Sequence, residues 1–86
     1  MKYLLISFKT KNSVYSFSNK LKLFNISNQI INTPSSISKS CSLSLRTNLN
    51  NLSIVTKILL NSNYNDVIGI FSIEISAFDE RIKRLY

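Results

Sequence analysis

Apolar residues change their spacing along this chain in an order that occurs twice, and that order limits the folds open to it. Residues 3–8 form an apolar run with Leu4, Ile6 and Phe8 at every second position, the period of a strand with one buried face. Val14, Phe17, Leu21 and Phe24 follow at intervals of three and four, the stripe of an amphipathic helix. Thr10 to Ser13 offer capping side chains in front of it, Asn12 and Ser13 above all, and Asn25, which tolerates left-handed backbone, can end it. Residues 26–33 read as a second strand carrying Ile30 and Ile31, stopped by Pro34, which has no N–H for a ladder.

The pattern then restarts. In residues 41–47, Cys41, Leu43 and Leu45 face one way and Ser42, Ser44 and Arg46 the other. Asn48 or Asn50 can cap a second helix with Leu52, Val55 and Leu59 at helical spacing. A polar turn over residues 61–66 leads to a last strand, residues 67–76, with Val67, Phe71, Ile73 and Ile75 as its apolar face.

Strand, helix, strand, strand, helix, strand predicts an α+β fold, a ferredoxin-like βαββαβ sandwich. Right-handed crossovers give it a four-stranded antiparallel sheet of order 4-1-3-2 with both helices on one face. Residues 1–76 form this domain, and the charged residues 77–86 follow as a C-terminal tail or short helix. An apolar fraction of 44% against 17% charged suits a packed globule of this length.

The chemistry is bounded as tightly. One cysteine and no histidine exclude an internal disulfide, the usual Cys/His zinc sites and Ser-His or Cys-His catalysis. All four carboxylates, Asp66, Glu74, Asp79 and Glu80, come after residue 65. Ordinary hydrolase chemistry, a metal and a cofactor are therefore not expected. The net charge is +7, yet the cations are scattered except for Arg81, Lys83 and Arg84, and read as a solvated surface able to steer an acidic partner. The opening residues are too short an apolar stretch, interrupted by Lys9, for a signal peptide. No run reaches the roughly 20 residues of a spanning helix, so a cytoplasmic protein with no membrane contact is expected, and a lone thiol suits a reducing compartment.

Within the expected fold, Cys41 begins the third strand and lies near the end of the first, beside the amino end of the first helix. That end carries partial positive charge, and Lys9, Lys11 and Lys39 can lie close. An ordinary thiol with a pKa of about 8.5 is only about 3% ionised at neutral pH, and these neighbours favour the thiolate. Arg46 points to the opposite face and reads as a sheet-face residue.

Thr33, Pro34, Ile37, Ser38, Ser40, Cys41, Leu43, Leu45 and Arg46 together make a pattern of Thr-Pro, two residues, Ile-Ser, one residue, Ser-Cys and an alternating strand ending in a basic residue. This resembles the selenium/sulfur carrier-like proteins, a family of small bacterial domains, over roughly residues 1–76. The family pattern has glycine after the cysteine, where this chain has Ser42. The resemblance implies that Cys41 is the chalcogen-accepting thiolate, holding sulfur or selenium as a persulfide or selenosulfide. Ser40, Ser42, Lys39, Lys9 and Lys11 then support it, and Thr33, Pro34, Ile37 and Ser38 shape its loop. Donor and acceptor proteins are the implied partners, since with no second cysteine the adduct must leave on another protein's thiol.

Two other readings stand beside it. Cys41 can be a buried small hydrophobe in a non-catalytic interaction or regulatory domain. The sheet face away from the helices, with Leu5, Ile68 and Ile70, can then pair with a second copy as a homodimer. RNA-recognition modules share the element order but need stacking aromatics on the third strand, which reads Cys-Ser-Leu-Ser-Leu-Arg here, so no nucleic acid is expected.

Overall fold

The computed structural model of the chain describes residues 1–35, 37 and 43–86. Strand β1 (Lys2–Phe8) is its centre, with Leu4, Ile6 and Phe8 fully buried as the alternation requires. Helix α1 (Lys11–Leu23) follows at once. Its cap is Thr10, whose side chain accepts from the Ser13 N–H, rather than Asn12 or Ser13, which fall inside the first turn. Val14, Phe17 and Leu21 are buried, but Phe24 is the helix's C-cap and more than half exposed, because the helix stops just before it. Asn25 ends the helix as expected, with φ 60°. Around it the Asn25 N–H donates to Lys22 O (3.0 Å) and the Ile26 N–H to Leu21 O (2.9 Å), the paired bonds that consume orphan helix carbonyls.

Strand β2 (Asn28–Asn32) is held against α1 by Ser18, whose hydroxyl donates to Asn28 Oδ1 at 2.6 Å. Strand β3 (Leu43–Thr47) leads through a 3-10 turn, Leu49–Asn51, into helix α2 (Leu52–Leu60). Asn48 caps that turn, its Oδ1 accepting from the Asn50 N–H at 2.9 Å. Strand β4 (Val67–Ile75) returns along β1.

Among the described residues the sheet has five strands, in the order β2-β3-β1-β4-β5, and every neighbouring pair is antiparallel. Strands β4-β1-β3-β2 keep the expected order 4-1-3-2, and the expected four-stranded sheet is corrected by a fifth strand beside β4. The residues expected to be a charged tail or short helix supply β5 (Glu80–Arg84), which pairs with β4 from Phe71–Arg84 to Ile75–Glu80. Charge alone misled there. An edge strand has solvent on most sides and can carry Glu80, Arg81, Lys83 and Arg84 without burying them. The chain then turns back over β4. Gly69, the one glycine, leaves room for this, since a Cβ there would sit 2.9 Å from the Tyr86 carbonyl oxygen and 3.1 Å from the Phe71 ring.

Both helices cover one face of the sheet. Val14, Phe17 and Leu21 of α1 and Val55, Ile58 and Leu59 of α2 pack on Leu4, Ile6, Phe8, Leu45 and Ile70. Tyr64 seals the gap beside α1, edge-on to Phe8 and Phe17 at 5.2 and 5.7 Å, with its hydroxyl 2.8 Å from that of Ser16. A smaller cluster, Tyr3, Leu5, Phe71 and Ile73, occupies the other face. The face assignment of β4 needed correcting. Val67 and Ile70 belong with the helices, whereas Ile68, Phe71 and Ile73 face away. The cause is an irregularity opposite Ser7 and Phe8, where pairing jumps from Gly69 to Val67 and the simple alternation of β4 breaks.

Candidate functional site

The ends of β1 and β2 and the starts of β3 and β4 meet at one end of the sheet, and residues 33–42 connect β2 to β3 there. Ser38, Lys39, Ser40, Cys41 and Ser42, five of the residues expected at the site, lie outside the described residues. The surroundings of that segment are described, and they show how its two ends are held.

Three hydroxyls run in a row across three strands. Ser7 of β1 and Ser44 of β3 are directly opposed, and their Oγ atoms are 2.7 Å apart. Ser44 Oγ is also hydrogen-bonded to Thr33 Oγ1, just past the end of β2. Ser7 and Ser44 are fully buried and Thr33 nearly so. Buried hydroxyls are tolerated when each finds such a partner. Thr33 and Ser44 thus tie together the two ends of the connecting segment. Pro34 is half-buried, and its carbonyl accepts from the Ile37 N–H at 2.9 Å. Ile37 packs against the cluster of Tyr3, Leu5, Phe71 and Ile73, on the face away from the helices.

The amino end of α1 is at the same end of the sheet and already has an anion. Asp66 Oδ2 accepts from the Thr10 hydroxyl (2.7 Å) and the Thr10 N–H (3.1 Å), and Oδ1 accepts from the Ser13 hydroxyl (2.8 Å). Partial burial pushes the Asp66 carboxyl up, but the Thr10 and Ser13 hydrogen bonds outweigh it and hold the group below the usual aspartate value. The Lys9 N–H donates to the Asp66 carbonyl at 2.8 Å. Lys9 and Lys11 themselves are exposed at this end. A helix end expected to favour a thiolate therefore carries a carboxylate that its first turn binds. Sequence reading missed Asp66 because 53 residues separate it from Ser13. It missed Ser7 and Ser44 because only the strand register makes them partners.

Arg46 is a sheet-face residue as expected, its guanidinium 4.5 Å from the centre of the Tyr3 ring. It also lines an open polar groove of about 350 Å³ at the opposite end of the sheet, with Lys2, Ser27, Asn28, Gln29, Thr47 and Asn48. Among the described residues no group of three or more His, Cys, Asp or Glu side chains could hold a metal ion. No described helix is long and apolar enough to cross a membrane.

The fold and the clamped segment define a small α+β domain built on an antiparallel sheet, with a single thiol on the segment joining two of its strands. Within that class the chain belongs to the family described as "Putative Se/S carrier protein-like", whose model matches residues 3–72. Strand β5 lies beyond the matched span. No curated protein and no solved structure matches the chain.

Proposed function

We propose that this protein is a small carrier that accepts sulfur or selenium on Cys41 and delivers it to another protein. The observation that carries the reading is family membership over residues 3–72, joined to the presence of one cysteine in the whole chain. Acceptance needs only a thiolate. The Cys41 sulfur attacks the outer, zero-valent sulfur of a donor protein's persulfide, forming a new S–S bond while the donor's thiolate leaves. Delivery is the same step reversed in role: an acceptor thiolate takes the outer sulfur and Cys41 departs as thiolate. Selenium travels the same way, as a selenosulfide. Neither step requires a general base if the thiols are ionised, which agrees with the lack of histidine.

Lys9 and Lys11, exposed at the end of the sheet where β2 stops and β3 starts, offer a positive surface for docking acidic partners. The hydrogen bond between Thr33 and Ser44 ties together the two ends of the segment that carries Cys41 in sequence.

Intact mass spectrometry tests the proposal. The protein is incubated with a cysteine desulfurase and cysteine, or with selenite and a thiol, beside its Cys41→Ala variant. A gain of one sulfur or selenium atom confined to the protein with Cys41 is expected. An unmodified mass, with Cys41 inert to alkylation until the protein is unfolded, would make the cysteine a structural residue.

A further inference from the structure

The two edges of the sheet are chemically unlike. On β5 four of the five residues are charged, Glu80, Arg81, Lys83 and Arg84, a common device against edge-to-edge pairing. On β2 the sequence is Asn28-Gln29-Ile30-Ile31-Asn32, and it alone of the five described strands has no charged residue. It contains no proline, and Ile30 is 36% exposed. Among the described residues no strand pairs with the outer edge of β2, and such an edge presents backbone N–H and C=O groups that can template another strand.

We propose that β2 is an interface at which a second copy of this chain adds antiparallel, joining two five-stranded sheets into one. Two molecules of net charge +7 repel, and contact is least costly where each is uncharged; β2 is that strip. The strand is also self-complementary about Ile30. With the two-fold axis there, Asn28 faces Asn32 of the second copy, Gln29 faces Ile31, and Ile30 faces Ile30, pairing amides at both ends and apolar side chains at the centre. The sheet face, the site expected for a homodimer, is closed within one chain: Leu5 is 0%, Ile73 1% and Phe71 8% exposed.

The pairing has a consequence for the site. The groove lined by Ser27, Asn28, Gln29 and Arg46 lies at the start of β2, and the thiol-bearing segment leaves from its end. Antiparallel pairing sets Ser27 of one copy beside Thr33 of the other, so each groove, with the cations of Lys2 and Arg46, adjoins the start of the other copy's segment.

A five-residue edge contact buries much less than the roughly 1,000 Å² of a stable interface, so the dimer should be weak and visible only at high concentration. Sedimentation velocity from micromolar to near-millimolar protein should show the mass rising from monomer towards dimer. Ile30→Lys and Gln29→Lys, each checked for native circular dichroism, should weaken association about tenfold, since each adds like charge to both sides of the contact. Lys83→Gln on the β5 edge should leave it unchanged. A wild-type protein that stays monomeric, or a dimer that survives both β2 variants, would overturn the proposal.

Discussion

The sheet is closed on its two faces by different means. On one side, two helices lay Val14, Phe17, Leu21, Val55, Ile58 and Leu59 on β1, β3 and β4. On the other, no helix or strand among the described residues is layered over Tyr3, Leu5, Phe71 and Ile73. Ile37 of the connecting segment, Ile31, Ile68 and Ile82 pack against them. The Arg46 guanidinium lies over the Tyr3 ring, and Arg84 donates to the Ile68 carbonyl at 3.1 Å. The helical face is a core in the ordinary sense. The other face takes part of its cover from Ile37, a residue of the segment that joins β2 to β3.

The helical face should be much the costlier one to damage. Phe17 is fully buried, its ring 5.5 Å from that of Phe8 and 5.7 Å from that of Tyr64. Phe17→Ala should cost about 3–5 kcal/mol, transfer and cavity together, measured as the change in urea unfolding free energy. For a domain this small that is a large part of the total stability. A cost below about 1 kcal/mol would mean that the helices are loosely seated and that the sheet stands largely by itself.

On the other face the expected effect is smaller and of a different kind. Ser44→Ala removes the central hydroxyl of the buried row and leaves those of Ser7 and Thr33 without their shared partner. Leaving buried polar groups unpaired should cost about 1–3 kcal/mol. The combined variant Ser7→Ala, Ser44→Ala, Thr33→Val removes all three hydroxyls and should recover part of that loss, because nothing unpaired remains. If the triple variant is instead the least stable, the hydroxyls act independently and do not clamp the segment as a unit.

These two regions also differ in how legible they were. Helix α1, β1 and the alternation of β3 followed from spacing alone, because a helix or strand packed on a core must repeat its apolar residues with its own period. The left-handed Asn25 was readable for a similar local reason. Phe24 was not. It continues the stripe in sequence, but the helix has already stopped. Strand β5 was missed because its charges describe an exposed edge rather than an absence of structure. At the site, Thr33, Pro34 and Ile37 stood out through the family pattern, whereas Ser7, Ser44 and Asp66 did not. A serine in an apolar strand has no signature until register gives it a partner, and Asp66 joins the site only when β4 returns beside the end of β1.

Asp66 sits where the helical layer meets the end of the sheet. Its carboxylate binds Thr10 and Ser13 at the first turn of α1, on a half-exposed surface, so Asp66→Asn should cost only about 1 kcal/mol at neutral pH. The folded state holds the Asp66 carboxyl below its ordinary value. Its contribution is therefore complete above the unfolded-state pKa of about 4, and is lost as pH falls through the lower folded-state value. Urea denaturation of the wild type should show stability dropping over that acid range, and the drop should be shallower in Asp66→Asn, the two proteins converging at low pH. Parallel curves would mean that the first turn of α1 gains nothing from the charge of Asp66, leaving that helix end available to another anion.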